Sequence, residues 1–294
     1  MKSFYRNKVA IAIFALPALL LYTLFVFYPI CQTVYRSFFN WDGFSAAQFI
    51  YLDNYTRLFQ DKLFYTSIKN GLIFAFFLVV YQIGIGTVLA LAVADASIKG
   101  RKLLRVSYFI PVVLSVTVVC QLWMSIYNGE FGLLNKVFES LGMTYRQDWL
   151  STETKSIWAI AFVNAWQYTG YHFALLFAAI RAIPEHYYEA ARIDGATKVQ
   201  AHFHITLPLM AESFRFCLIL AVTGGLNAFA NMFIMSNGGP GTATYTLTFM
   251  TYRSAFRVNE FGYGCASATI LVLECLIATV LINKLVSTDK LEYK

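Results

Sequence analysis

The stretch EAARIDGATKVQAHFHITLP, from Glu189 to Pro208, is the longest polar interruption in the second half of a very apolar chain. Of the 294 residues, 58% are hydrophobic and only 13% are charged. Soluble domains usually carry about 25% charged residues and about 45–50% apolar ones. The composition therefore predicts a polytopic membrane protein, in which the quoted stretch is a loop between two spans.

Six continuous apolar runs are long enough to cross a bilayer. A span needs roughly 20 apolar residues, because the hydrocarbon core is about 30 Å thick and a helix rises about 1.5 Å per residue. The first run is longer than the apolar core of a signal peptide, so we expect it to be retained. The sequence thus predicts an all-α polytopic membrane protein, with one domain over residues 1–294. Its six transmembrane helices are predicted at about 9–31, 71–94, 106–127, 156–180, 214–235 and 263–282.

Lys and Arg residues are shared unevenly between the two sets of loops. Fourteen lie in the N-terminal segment, the loops after spans two and four, and the C-terminal tail, whereas nine lie in the other loops. Cytoplasmic loops carry the excess of Lys and Arg in membrane proteins. We therefore expect both termini and the loop at 181–213 in the cytoplasm. This distribution accounts for the net charge of +7 without a nucleic-acid partner.

The cytoplasmic loop has the pattern of two short helices joined by a sharp turn. Pro184 suits the first position of a helix, and Gly195 is placed to end that helix in a left-handed conformation. Thr197 is placed to cap a second helical piece that runs to Thr206. Any charged linker between two spans needs such caps, so this pattern alone leaves the role of the loop open.

Eight residues of the loop follow a fixed, gapped spacing: Glu-Ala-Ala, three residues, Gly, nine residues, Ile, one residue, Leu-Pro, with Asp before the glycine. This spacing resembles the EAA loop of permease subunits in binding-protein-dependent ABC importers. The matching residues are Glu189, Ala190, Ala191, Asp194, Gly195, Ile205, Leu207 and Pro208.

Three further segments resemble one branch of these permeases, the carbohydrate importers related to those for maltose and glycerol phosphate. They are YLDNYTRLF from Tyr51, GLLNKVFESLG from Gly132, and NGGPGTATYTLTFMTYRSAF from Asn237. The chain is similar to the first permease of the pair. The resemblance implies the type I importer permease (MetI-like) fold, in the cytoplasmic membrane of a bacterium or archaeon. The apolar residues within Leu133–Leu141 follow helical spacing and have a glycine at each end, so they also predict a short helix along the outer membrane face.

The resemblance implies that the loop is a coupling helix that docks on a cytoplasmic ATPase. Two ATPase copies, a second permease subunit and an extracellular solute-binding protein are the implied partners, with lipid around the spans. The chain has no GxxxxGK[ST] sequence, so we expect ATP and Mg²⁺ on the separate ATPase subunits and no cofactor in this chain. The expected role is translocation of a sugar, and the expected sugar is an oligosaccharide. No catalysis by this chain is expected.

Polar and aromatic residues inside spans four and five are candidates for contact with the sugar. Such groups are costly in lipid unless they face a cavity or another helix. Aromatic rings stack on sugar C–H faces, and amides bond to hydroxyls. The same groups can instead hold helices together, and that alternative stays open. The candidates are Asn164, Gln167, Tyr168 and Tyr171 on one face of span four, and Asn227 and Asn231, one turn apart, in span five.

The main competing hypothesis is a secondary transporter or channel for a small polar solute. It predicts ion-coupling residues inside the spans, and Glu274 in span six is the one acid placed deep in an apolar run. A structural hydrogen bond is the simpler role for Glu274. His202 and His204 are two residues apart without a nearby third ligand, so no metal site is expected. An intramembrane enzyme is disfavoured because no catalytic motif is present.

Overall fold

A computed structural model describes residues 8–95 and 98–286, with side chains from residue 12 onwards. Most of this part is helical, and the longest stretches outside helices are 37–52, 141–155 and 236–246. The two termini, which we predict to be cytoplasmic, lie largely outside the described residues. Two compact units are present: the described residues up to Asp61 together with Met250–Ile270, and Lys62–Phe249 together with the described residues from Leu271.

The helices before the cytoplasmic loop are α1 (Lys8–Tyr22), α2 (Tyr28–Arg36), α3 (Asp53–Gln60), α4 (Lys62–Leu78), α5 (Gly84–Ala94), α6 (Arg101–Val113), α7 (Val116–Tyr127), α8 (Leu133–Ser140) and α9 (Ser156–Ala182). Those from the loop onwards are α10 (His186–Ile193), α11 (Lys198–Ala201), α12 (Leu207–Leu209), α13 (Ala211–Leu226), α14 (Ala230–Met235), α15 (Leu247–Tyr252) and α16 (Phe261–Leu285). Wider π-type turns link α1 to α2 and α4 to α5, so each pair forms one continuous rod.

The first unit contains a short antiparallel ribbon, in which β1 (Phe39–Asn40) pairs with β2 (Gln48–Phe49). The buried Asn54 amide donates to the carbonyl oxygens of Ser37, at 2.8 Å, and Phe39, at 2.9 Å. Both acceptors border the end of α2, so one side chain holds the ribbon against α3.

A charged network joins α3 to the start of α16 within the same unit. The Arg57 guanidinium donates to both carboxylate oxygens of Glu260, at 3.0 and 2.8 Å, and lies 4.5 Å from the Tyr263 ring centre. The Tyr263 hydroxyl donates to Asp61 at 2.9 Å. Glu260 raises the pKa of Arg57 further, because the bidentate hydrogen bonds favour the charged guanidinium.

Helix α9 forms the centre of the second unit and packs against α4, α5 and α6. Its neighbours approach closely because small residues face them. A methyl group on Gly170 would overlap the Tyr108 carbonyl oxygen of α6, and one on Gly86 would lie 3.2 Å from the Phe173 backbone nitrogen. Residues of α9 such as Ile160, Val163 and Leu176 are therefore fully buried between helices.

Four helices of the described chain are long and apolar enough to cross a membrane: Ala12–Arg36, Lys62–Ala94, Ala211–Met235 and Phe261–Leu285. The helix predicted at 71–94 begins earlier, at Lys62, because its polar first turns continue the same rod. Helix α9 has 27 residues but does not reach the same apolarity. A count of six spans therefore needs both α9 and the pair α6 and α7.

The span predicted at 106–127 is not one straight helix. Helices α6 and α7 meet at an angle of 102°. Pro111 lies in the last turn of α6, where its ring removes one backbone donor, and Leu114 and Ser115 are extended. The hydropathy pattern did not reveal this bend, because every residue at the break except Ser115 is apolar.

The span predicted at 214–235 is also interrupted, between α13 and α14. The Ala228 carbonyl oxygen, which lies in the gap, accepts a hydrogen bond from Thr248 at 2.8 Å. Gly225 permits close packing, since its missing methyl group would lie 2.7 Å from the Ala75 Cα, and the helix unwinds only after Leu226.

Gly170 and Gly224 offer a matched test of the close packing around α9. Gly170→Ala forces a methyl group into the α6 backbone, so we expect a clear loss of thermal stability in detergent. Gly224→Ala adds a methyl group with nothing within 4 Å, so we expect unchanged or higher stability. Thermal unfolding followed by size-exclusion fluorescence measures both. Equal melting temperatures for the two variants would contradict the packing described for α6 and α9.

Candidate functional site

The polar loop contains the two predicted helical pieces. Helix α10 ends at Ile193, and Gly195 has a left-handed φ of +77°. The Ala196 amide donates to the Ala191 carbonyl oxygen at 2.9 Å, and the Gly195 amide donates to that of Arg192 at 3.1 Å. These bonds satisfy carbonyl groups at the end of the helix. The predicted role of Gly195 as the helix terminator is confirmed.

A second cap starts the next piece. The Gln200 amide donates to Thr197 Oγ1 at 3.3 Å, and the Thr197 amide donates to Gln200 Oε1 at 2.8 Å. This reciprocal pair is a capping box. Helix α11 and a following π turn at His202–Thr206 then lead to Leu207, so the prediction of a second helical piece up to Thr206 is also confirmed.

Five of the eight motif residues of the loop are exposed on the surface of the chain. Exposed motif residues are Glu189, Ala190, Asp194, Gly195 and Pro208, whereas Ala191, Ile205 and Leu207 are half-buried. Three large apolar side chains that the motif does not include are more exposed than is usual: Ile193 at 87%, Phe203 at 64% and Val199 at 63%. Their apolar character within a polar loop was the signal that sequence reasoning overlooked.

One contact attaches the loop to the end of α5, and another joins two parts of the loop itself. Lys198 forms an ion pair with Asp95, just after α5, with a distance of 2.9 Å between Nζ and Oδ2. Tyr188 and the buried Thr206 share a hydrogen bond of 2.9 Å between their hydroxyl oxygens. Within α10, Arg192 Nε donates to the Tyr188 carbonyl oxygen at 3.4 Å.

Two of the six candidate sugar contacts bond to each other. Asn164 Nδ2 of α9 donates to Asn231 Oδ1 of α14 at 2.9 Å, and both side chains are buried. Asn231 Nδ2 in turn lies 3.6 Å from the Cys120 sulfur of α7. These amides therefore satisfy one another between three helices, as the helix-contact alternative describes.

Gln167 also joins two helices through its amide, at the bend between α6 and α7. Its Nε2 donates to the Leu114 carbonyl oxygen at 3.1 Å, and Leu114 is one of the two extended residues at that bend. A carbonyl freed by the break is thus satisfied by a side chain of α9. Gln167 is only 1% exposed, so its Nε2 is occupied and enclosed, whereas its buried Oε1 has no hydrogen-bond partner among the described residues.

The remaining three candidates are accessible. Tyr171 is 40% exposed, Tyr168 is half-buried and Asn227 is exposed. The expectation that Asn227 and Asn231 lie one turn apart on a helix is wrong, because the gap between α13 and α14 separates them. Asn227 instead donates to the Thr223 carbonyl oxygen at 2.9 Å.

Glu274 is half-buried on α16, and its Oε1 has no hydrogen-bond partner among the described residues. His172 of α9 is buried with Nδ1 in the same situation. No contact joins the two side chains in the part of the chain that the structure describes, so they form no proton-carrying pair there.

The polar pair of Asn164 and Asn231 can be tested by a double-mutant cycle. We expect each Asn→Ala change to destabilise the protein, because its partner is left buried without a hydrogen bond. The double variant should lose less than the two single losses combined, with a coupling energy of about 0.6 kcal/mol and at most about 1.7 kcal/mol. Reversible unfolding in mixed micelles measures the three losses. Strict additivity would mean that the hydrogen bond contributes nothing to stability.

Comparison with known proteins decides the family. Residues 82–288 match the family described as binding-protein-dependent transport system inner membrane component. The chain belongs to this family. It is a translocation component of an ABC transport system and is not itself an enzyme. The predicted family resemblance is thereby confirmed.

Relatives match along almost the whole permease. A probable ABC transporter permease of Bacillus subtilis, YurN, is 37% identical, and the match covers 98% of this chain and 99% of YurN. The multiple sugar-binding transport system permease MsmF of Streptococcus mutans is 33% identical over 92% of this chain and 93% of its own length. The diacetylchitobiose uptake permease NgcF of Streptomyces coelicolor is 31% identical over 90% and 78% respectively.

A solved structure supports the fold. A chain of the bacterial alginate ABC transporter, in complex with a periplasmic protein that carries an alginate pentasaccharide, superposes with a TM-score of 0.83. The match covers 99% of this permease and 98% of that chain, at 21% identity. This permease therefore has the helical type I importer fold.

Proposed function

We propose that this permease forms, with a second permease subunit, the path for a sugar that an extracellular solute-binding protein delivers. The carrying observation is that sugar permeases such as MsmF and NgcF align with it over nine-tenths of its length. An oligosaccharide is the proposed cargo. In the proposed assembly, six spans cross the cytoplasmic membrane of a bacterium or archaeon, with both termini inside.

The polar loop is the proposed contact with one of two cytoplasmic ATPase subunits, which bind ATP and Mg²⁺. Its support is physical: the capped turn at Gly195 holds α10 rigidly, and Ile193, Val199 and Phe203 leave an apolar surface uncovered. Closure of the two ATPases would then move the loop as a body. The ion pair between Lys198 and Asp95 links that movement to α5. The proposed coupling residues are Glu189, Ala190, Ala191, Asp194, Gly195, Ile205, Leu207 and Pro208.

The observed contacts divide the six candidate sugar-binding residues into three that join helices and three that remain accessible. Asn164, Asn231 and Gln167 use their amides to join helices, so we assign them a supporting role. Tyr168, Tyr171 and Asn227 keep accessible surface and are the better candidates for contact with a sugar. An aromatic face and a side-chain amide are suitable groups for a neutral, hydroxylated ligand.

Purification from the native membrane in a mild detergent tests the assembly. We expect a second permease and an ATPase to copurify, and the reconstituted complex to take up a sugar only when ATP and the loaded binding protein are present. Uptake by this chain alone, without ATP, would refute the proposal and support a secondary transporter or channel instead. Glu274 would then be the first residue to substitute.

Gly195 tests the coupling role of the loop. The left-handed backbone costs a β-branched residue roughly 1–2 kcal/mol, whereas Asn adopts it readily. No atom lies within 4 Å of the missing methyl group, so the effect comes from the backbone alone. We expect Gly195→Val to lower sugar-stimulated ATP hydrolysis at least about tenfold without loss of membrane insertion, and Gly195→Asn to retain most of it. Equal activity of both variants would contradict the assignment.

A further inference from the structure

A cavity of about 420 Å³ lies at the other end of α9 from the polar loop. It is bordered by the start of α9, the first half of α4 and the loop between α14 and α15. Helix α9 leads into the polar loop at its opposite end, about 40 Å away at about 1.5 Å per residue. On the proposed topology, the cavity opens on the outer side of the membrane.

The rim of this cavity is held in one position by Asn70. Its buried Nδ2 lies 2.9 Å from the Tyr245 carbonyl oxygen, 3.0 Å from that of Ala243 and 3.4 Å from that of Thr242. Within the loop, Thr244 Oγ1 donates to the Gly239 carbonyl oxygen at 3.0 Å. The backbone that borders the cavity is therefore fixed by hydrogen bonds before any ligand arrives.

The side chains that face the cavity are of three kinds. Trp158 is 41% exposed, and its indole ring is held edge-on by Phe77 at a centroid distance of 5.9 Å. Lys69 and Glu153 are both exposed, and in the described structure neither has a hydrogen bond or an ion pair. Two opposite charges that border one cavity without pairing leave a donor and an acceptor free for a third group.

We propose that this cavity binds a neutral saccharide on its way into the permease. The proposal rests on the proposed function and adds a site to it. A sugar ring would stack its C–H face on Trp158, while Lys69 donates to one hydroxyl and Glu153 accepts from another. Because the two charges cancel, the cavity offers an anionic sugar no net electrostatic attraction, and the donor and acceptor together suit the hydroxyl groups of a neutral sugar.

The test uses the full complex of both permeases, ATPases and binding protein in proteoliposomes. Three neutral probes are offered in turn: diacetylchitobiose, an arabino-oligosaccharide and maltotriose. Lys69→Gln, Glu153→Gln and Trp158→Leu are compared with Lys136→Gln and Glu139→Gln, two exposed positions on α8 outside the cavity. We expect each cavity variant to raise the KM for the loaded binding protein about fivefold to tenfold, with kcat and basal ATP hydrolysis within about twofold. The α8 controls should match the wild type.

A direct measurement checks contact with the sugar. Saturation-transfer NMR on the complex without its binding protein should show magnetisation passing to the ring protons of the transported probe, and Trp158→Leu should abolish it. Unchanged KM values and signals in all three cavity variants, with normal wild-type uptake, would overturn the site alone. Variants that instead lose the second permease on purification would also overturn it, since the cavity would then be a subunit contact. Failure of the wild type to take up any probe would overturn the proposed function together with the site.

Discussion

A backbone carbonyl or amide in hydrocarbon has no water to bond with, so every interruption of a spanning helix must be satisfied from within the protein. Two such interruptions lie among the described residues, and at each one a side chain from another element bonds to a carbonyl oxygen of the break. Gln167 of α9 bonds to the carbonyl of Leu114 where α6 and α7 bend, and Thr248 bonds to that of Ala228 between α13 and α14. Because these polar groups are occupied, the broken helices can remain packed around α9.

The same constraint explains why α9 is the least apolar of the long helices. It lies between several others, so its polar groups meet protein instead of lipid: Gln167 bonds to a backbone carbonyl, and Asn164 bonds to the side chain of Asn231. Gly170 permits the close approach of the Tyr108 carbonyl of α6, and Gln167 bonds to Leu114 just after that helix. An all-apolar helix at this place would leave the bend unsatisfied. The polar residues that lower the hydropathy of α9, such as Gln167, therefore allow α6 and α7 to bend instead of forming one straight span.

Helix α9 also connects the proposed coupling loop with the proposed sugar-binding cavity. Its last turn leads into α10 and the capped turn at Gly195, and its first turn borders the cavity that contains Trp158. A rigid rod with a coupling loop at one end and a sugar site at the other suits a transporter in which ATPase movement changes access to the sugar. Three of the substrate candidates in the spans, Tyr168, Tyr171 and Asn227, remain accessible for later steps of the path.

Local chemistry explains which sequence predictions were right. The turn at Gly195 and the cap at Thr197 depend on residues within a few positions of each other, and the family motif depends on spacing along one loop. The apolar runs likewise reveal α1, α4 and α16 without any knowledge of their neighbours. These features are properties of short stretches of chain, and the sequence by itself determined them.

The partners of buried polar groups were decided only by the tertiary structure. Asn164 and Asn231 are 67 positions apart, and Gln167 and Leu114 are 53 positions apart, so no periodicity in the sequence announces either contact. The bend after α6 could not be predicted from the sequence either, because Leu114 continues the apolar run although its backbone is extended. Whether an amide in a span faces a sugar or a neighbouring helix depends on which backbone atoms are left free nearby, and only packing determines that.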